Sequence, residues 1–360
     1  MPVSSVLEET TEVRDAHRFP VEPLQSYLAR RIDGLGEDLR VRQFRGGQSN
    51  PTFVLFSGER TWVLRKKPPG VLLPSAHMVE REYRIMKALA DTDVPVARVH
   101  ALCEDSSVIG TPFFIMDLVQ GRVFRSELLP DVSPEERRAI YIAMADTLAK
   151  LHLVDVRAVG LEDFGKAGSY MARQLSRWQK QYEASKTEDI PAMDGLSEWL
   201  AGHIPADDST TIAHGDYRLE NLIYHPTEPR VLAVLDWELS TLGHPLADLG
   251  YNCMAYHLAS TGTDASAIHA YGRGISGPNL AELGIPTEAE YVAEYSKRAG
   301  RAVPDFDYYV AFAMFRRSAI CQGVYKRGLD GNASSETALN MKPLVRFYAE
   351  AGWELVSGRA

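Results

Sequence analysis

The stretch IAHGDYRLENLIYHPTEPRVLAVLDWE, residues 212–238, decides the fold. An apolar approach ends at His214-Gly215-Asp216. Two further apolar runs then flank His225–Arg230, a turn carrying two prolines, and this pattern predicts a β-hairpin. Asn221 begins the first strand of that hairpin and Asp236 ends the second. A hairpin brings its two ends together, so Asn221 and Asp236 are expected side by side. Asp216 lies on the loop that feeds the first strand and is expected to face the same space. A carboxylate and an amide oxygen suit the hard cation Mg²⁺, which takes few protein ligands and fills its shell with water and phosphate oxygens. Asp216 is then left to act as a base or as an orienting group.

Working outward, the segment before residue 122 changes period. Helical spacing in VEPLQSYLARRI, 21–32, gives way after residue 39 to three short strand patterns with glycine-containing turns, an antiparallel meander. A helix is expected over 75–90. Two more strands follow within 96–119, joined by a turn at Glu104–Ser107. Residues 1–20 are polar and are expected to form a loose arm. After Gly121 the composition turns helical. Ser133, Pro134 and Glu136 mark one capped helix start, Thr287 and Glu290 another, and 335–356 is also expected to be helical. The expected fold class is α+β. A small antiparallel β-sheet lobe with one helix occupies 1–116, a hinge lies at 117–121, and a larger, mostly helical lobe spans 122–360.

Composition narrows the function classes. The 360 residues suffice for two lobes, and 45% apolar with 24% charged residues is an ordinary globular profile. A formal net charge of −9 argues against nucleic acid and against an anionic membrane surface, since both reward clustered lysine and arginine. No apolar run approaches a membrane span, and the polar N-terminus does not read as a signal peptide. Cys103, Cys253 and Cys321 are far apart and form no paired motif, which predicts buried, reduced thiols and a cytoplasmic setting.

His214-Gly-Asp216-Tyr-Arg-Leu-Glu-Asn221 has the H-x-D-x-x-x-x-N spacing of the kinase catalytic loop, and Asp236 stands where kinases carry the Asp of DFG. The His-Gly-Asp and Asp-Trp-Glu forms resemble the aminoglycoside phosphotransferase and choline kinase family. Closest is the kinase-like domain associated with acyl-CoA dehydrogenases. The resemblance covers about residues 38–260 and implies a protein-kinase-like two-lobe fold, ATP as co-substrate and Mg²⁺ as cofactor. It also implies roles in chain order. Gly46, Gly47, Ser49 and Asn50 form the phosphate-facing turn, whose bland alternative is a plain hairpin turn. Arg65 takes the place of the strand lysine, a departure, since arginine and lysine are not interchangeable. Lys66 or Lys67 would serve if the register slipped. Glu82 matches the helix glutamate that pairs with that cation. Met116, the carbonyl of Asp117 and the N–H of Val119 would line the adenine site. Asp216 and Arg218 are the catalytic candidates, Arg218 facing the γ-phosphate. Asn221 and Asp236 are the metal ligands. His214, Glu238 and Asp248 are supporting residues, and Glu238 is also a candidate for a second metal ion.

Only about a dozen residues separate Asp236 from the next helix, with no peptide-binding platform, so a small-molecule acceptor is expected. The resemblance implies a hydroxyacyl-CoA or hydroxy acid, and a functional link to an acyl-CoA dehydrogenase. Arg173, Arg177 and Lys180 share one helix at near i,i+4 spacing and could receive an anionic acceptor. The competing readings are an aminoglycoside or choline-like alcohol kinase, a nucleotide-binding pseudokinase acting as a partner module, and a metallohydrolase built on His214 and Asp216. The last lacks further clustered ligands.

Overall fold

Strand β3 (Thr52–Ser57) is buried along nearly its whole length because it lies inside a sheet covered on both faces. The computed structural model describes residues 9–45, 50–70, 77–260, 274–332 and 337–358. Its largest sheet has the order β1-β2-β3-β4-β6-β5, all antiparallel, with β1 at Thr10–Thr11, β2 at Arg40–Phe44, β4 at Arg60–Lys66, β5 at Val99–Cys103 and β6 at Phe113–Asp117. Ser57 pairs with Arg60 across a two-residue turn, and Gly58 there has φ +56°. A left-handed conformation at that point is what such a turn asks of glycine.

Period-two alternation sorts the side chains of this sheet. Phe53, Leu55, Trp62, Leu64, Phe113 and Ile115 form one core with Leu24 and Leu28 of the helix Val21–Leu28. Lys66 points to that same face, where it sits 5.0 Å over the Phe19 ring, and burial lowers its pKa. Arg65 necessarily points the other way, toward the helix Val79–Leu89, whose Tyr83 meets Phe114 edge-on. Sequence alternation thus fixes which cation faces the second helix.

The chain divides into two compact units. The first is Met1–Arg122, Val159–Leu161 and Leu222–Leu239; the second is Val123–Ala158, Glu162–Asn221 and Ser240–Ala360. The hairpin read from the sequence is present as β8 (Leu222–Tyr224) and β9 (Val231–Val234), with Leu222 opposite Val234. It groups with the first unit, whereas the sequence reading placed it in the second. The Val234 N–H donates to the Pro95 carbonyl, and Arg122 and Tyr224 exchange backbone hydrogen bonds of 2.7 and 2.8 Å. Gly121 allows that exchange, because a Cβ there would lie 2.2 Å from the Tyr224 carbonyl oxygen.

The loose-arm expectation fails for residues 9–20. Thr10 and Thr11 pair with Phe44 and Gln43, Thr10 is fully buried, and the Gln43 side-chain oxygen accepts from the Arg14 N–H. Among the described residues, the largest sheet of the first unit therefore has six strands rather than five, and two α-helices, Val21–Leu28 and Val79–Leu89, accompany it. The first of those stops at Leu28, short of Ile32, and the second starts at Val79 rather than near 75.

In the second unit the helix Phe306–Leu329 is the central element, buried almost continuously from Tyr308 to Phe315. The helices Tyr170–Ser185, Pro245–Cys253 and Lys342–Ser357 pack on it. Gly250 touches it most closely: a Cβ there would fall 2.6 Å from the Tyr309 backbone. Ser133 caps the helix Pro134–Leu153, and Thr287 with Glu290 completes a reciprocal capping box. A short pair, β7 (Thr211–Ala213) with β10 (Thr241–Gly243), leads into the segment beginning at His214. At the C-terminal end the helix begins at Lys342, after a 3-10 turn at Ala338–Met341. No helix among the described residues is long and apolar enough to cross a membrane. All three cysteines are free and buried.

Candidate active site

The named residues gather in two groups, one in each unit. In the first unit, Arg65 is the hub. Its Nε lies 2.9 Å from Glu82 Oε2, and its Nη2 lies 2.9 Å from Asp236 Oδ1 and 3.6 Å from Glu238 Oε2. Asn50 joins the same group, donating through Nδ2 to Glu82 (2.9 Å) and Glu238 (3.5 Å) and meeting His77 Nδ1 at 3.1 Å through Oδ1. The planar guanidinium fork spaces its donors so that one cation meets several carboxylates from separate nitrogens, whereas an ammonium offers a single charge centre. Lys67 is engaged elsewhere, 2.9 Å from Glu80, and Lys66 lies on the opposite face. Arg65 is thus the residue that meets Glu82.

The electrostatics of this group are unbalanced: one guanidinium faces three carboxylates. Burial drives the Glu82 carboxyl up, Asp236 and Glu238 add to that, and Arg65 opposes it, leaving Glu82 at about 7. Burial alone would lower Arg65, but the three acids outweigh it and hold the guanidinium above its ordinary value. Asp236 adopts φ +64°, a left-handed conformation that non-glycine residues seldom take, just before the 3-10 turn Trp237–Leu239. Strain of this kind clusters at functional positions and re-aims the side chain that follows a strand.

Surplus negative charge on oxygen ligands is the donor chemistry a divalent cation requires. No group of three or more His, Cys, Asp or Glu side chains arranged to hold a metal occurs among the described residues. A cation here would draw few oxygens from protein and the rest from water and phosphate, which is the habit of Mg²⁺. The residues present fit that ion.

In the second unit the centre is Asp216, 16% exposed. Its Oδ1 accepts from the Tyr251 hydroxyl at 2.6 Å, and its Oδ2 accepts from Asn221 Nδ2 at 3.0 Å. Asn221 Nδ2 also donates to the Asp216 carbonyl at 2.9 Å. The Arg218 guanidinium lies between two acids, with Nε 3.3 Å from Asp216 Oδ2 and Nη2 2.6 Å from Glu220 Oε1.

The backbone of this loop is fixed from below by Asp248. Its two oxygens accept from the N–H groups of His214 (2.6 Å) and Gly215 (2.8 Å), and the Asp216 N–H donates to His214 Nδ1 at 3.2 Å. Burial alone would raise the Asp248 carboxyl, but hydrogen bonding and charge from His152 and the Gly215 N–H hold it below its usual value. His152 is itself fully buried between Asp248 (3.4 Å) and the Tyr295 hydroxyl (2.7 Å), and burial lowers its pKa despite the neighbouring carboxylate.

The remaining candidates are placed more simply. Met116 and Asp117 end β6, paired with Val63 and Trp62; the Asp117 N–H donates to Arg98, and its carboxylate meets His100 at 2.6 Å. Val119 follows in an irregular, half-buried segment. Gly46, Gly47 and Ser49 lie outside the described residues. Tyr251, Glu220 and Arg316 were missed from the sequence. Tyr251 had a signal, since it lies one helical turn after Asp248 in PLADLGY and so shares its face. Arg316, which donates to the Gly215 carbonyl at 2.8 Å, comes from a hundred residues away and had none.

The model of the phosphotransferase enzyme family matches residues 40–284, and the chain belongs to that family. The mouse acyl-CoA dehydrogenase family member 10 is 46% identical over 358 residues, covering 99% of this chain and 33% of that protein. Mouse family member 11 is 44% identical over 98% of this chain and 45% of its own length. The chain therefore spans a third to under a half of these curated relatives. A solved structure described as a putative aminoglycoside phosphotransferase from Ralstonia eutropha JMP134 superposes with a TM-score of 0.85 at 51% identity, covering 95% of this chain and 99% of that one. The fold is the α+β, protein-kinase-like fold of these enzymes.

Proposed function

We propose that the chain is an ATP- and Mg²⁺-dependent O-phosphotransferase that acts on the hydroxyl of a small molecule. Asp216 carries the reading: its carboxylate is held by donors on both oxygens, on a loop that Asp248 pins by two backbone hydrogen bonds. A pre-set carboxylate is what orienting an acceptor hydroxyl requires. In the transfer, the acceptor oxygen bonds to the γ-phosphorus, the bond to the bridging oxygen of ADP breaks, and the hydroxyl proton leaves toward Asp216. Arg218 places positive charge beside that carboxylate, and positive charge near a transferring phosphoryl group stabilises the transition state. When bound, Mg²⁺ neutralises the charge developing on the phosphate oxygens.

Asp236 is assigned to that ion on the acid excess around Arg65, with Glu238 beside it; Asn221 is assigned to it on sequence spacing. Gly46, Gly47, Ser49 and Asn50 are assigned to the phosphates, and Met116, Asp117 and Val119 to the adenine. Arg65 and Glu82 form the pair that sets the phosphate-binding cation.

For the acceptor, a hydroxyacyl-CoA or hydroxy acid is the preferred class, together with a functional link to an acyl-CoA dehydrogenase. Two observations support it. The relatives carry acyl-CoA dehydrogenase names. Arg173, Arg177 and Lys180 also make a cationic face along the helix Tyr170–Ser185 of an acidic chain. An aminoglycoside acceptor is the second reading, favoured by the description of the Ralstonia structure. A polycationic antibiotic would be repelled by that cationic face. The intact Asp216, Asn221 and Asp236 set disfavours a pseudokinase. The test is ADP release with Mg-ATP across hydroxyacyl-CoAs, free hydroxy acids, choline-like alcohols and aminoglycosides. Turnover confined to the anionic acceptors is expected; turnover confined to aminoglycosides would reverse the acceptor assignment.

A further inference from the structure

The helix Pro245–Cys253 grips the loop 214–217 at three points. Asp248 takes the N–H groups of His214 and Gly215, the Tyr251 hydroxyl donates to Asp216 Oδ1 at 2.6 Å, and Asn252 Nδ2 lies 3.4 Å from the Tyr217 carbonyl. Only the middle contact reaches the carboxylate itself. Tyr251 is 8% exposed, and burial together with the charge of Asp216 pushes its hydroxyl up to about 12, so it is a proton donor throughout the working pH range. Its ring is fixed in turn: the Arg316 guanidinium lies 5.5 Å from the ring centroid and donates to the Gly215 carbonyl at 2.8 Å. Close approach at Gly250 sets the helix against Tyr309 of the helix Phe306–Leu329, which also carries Arg316.

We infer that Tyr251 is a positioning residue that holds Asp216 Oδ1 and thereby dictates which way the carboxylate faces the acceptor hydroxyl. Asn221 and Arg218 engage Oδ2 alone. Without the Tyr251 hydroxyl the carboxylate could rotate about that one anchored oxygen, and correct placement of the reacting group is worth orders of magnitude in rate. The inference rests on the phosphotransferase reading above, because it acts through Asp216.

The test is a double-mutant cycle on turnover, comparing the parent with Tyr251→Phe, Asp216→Ala and the double variant, using Mg-ATP and the best acceptor of the panel. Tyr251→Phe keeps the ring over Arg316 and removes one atom. It is expected to lower kcat by about 10- to 100-fold, the equivalent of one hydrogen bond to a charged group, with the nucleotide KM within about twofold of the parent. In the Asp216→Ala background the same change is expected to have no further effect, because residues acting as one unit are not additive. Equal fractional losses in both backgrounds would make Tyr251 merely structural and overturn the inference. A parent-like kcat, a loss that falls on nucleotide KM, or a Tyr251→Phe chain that does not fold would do the same. A parent that transfers no phosphate to any acceptor or to water would sink the phosphotransferase reading instead. Additive losses in an active parent sink only the role of Tyr251.

Discussion

Arg65 and His152 bear the sharpest residue-scale consequences. Arg65 uses its fork to hold Glu82 and Asp236 together, and a lysine has one charge centre to offer. Arg65→Lys is therefore expected to raise the nucleotide KM roughly tenfold, the cost of about one charge-assisted hydrogen bond. An unchanged KM would show that the fork plays no part in nucleotide binding. Asp236→Ala should abolish the Mg²⁺ dependence of nucleotide binding in titration calorimetry; equal binding with and without metal would take Asp236 out of the metal site. His152 is buried with a pKa below its ordinary 6.5. Below 6.5 the unfolded chain takes up a proton that the folded chain does not, so this contribution to stability is complete above 6.5 and is lost as pH falls toward the folded value. Melting temperatures from pH 7.5 to 5 should fall less steeply in His152→Asn than in the parent, though from a lower start. At this scale the sequence was most readable where the chemistry is local. Asp216 and Asn221 are five residues apart, and their hydrogen bond follows from that spacing. Arg65 and Glu82 meet because one ends a strand and the other faces it from the next helix. Tyr251 was signalled only through Asp248, one helical turn before it, and Arg316, a hundred residues from Asp216, had no signal at all.

Among the elements, close backbone contacts do what side chains cannot. Gly121 lets Arg122 and Tyr224 pair, and Gly250 lets two helices touch. Alanine at either site must displace backbone, so each is expected to destabilise by about 1–3 kcal/mol, read as a lower urea midpoint. Gly58→Ala would be a useful contrast, because its Cβ would meet nothing within 4 Å and only its positive φ opposes the change. The hairpin 222–234 was legible because two apolar runs around a proline turn have few other meanings. The grouping of that hairpin with the first unit was not legible. It depends on Arg65, Pro95 and Arg122, all distant in sequence. The strand at Thr10–Thr11 was missed for a related reason: two threonines in a polar stretch carry no period, and pairing with β2 alone gives them structure.

On the scale of the whole molecule, the candidate residues fall into two groups, one in each unit. The first gathers a cation and an excess of carboxylates; the second fixes a single carboxylate on a pinned loop. Global charge offered no guide to either, since −9 over 360 residues says nothing of where three acids surround one arginine. The acceptor class was the least legible feature of all, because a cationic helix face reads identically in sequence whether it binds a ligand or water. In the proposed reaction Asp216 directs phosphoryl transfer and does not bind nucleotide. That role is tested most directly by single-turnover transfer from γ-labelled ATP with Mg²⁺ and the preferred acceptor, comparing the parent with Asp216→Asn alongside their nucleotide affinities. A rate lower by about 10²- to 10⁴-fold at unchanged nucleotide affinity is expected. Transfer at the parent rate by Asp216→Asn would contradict that role.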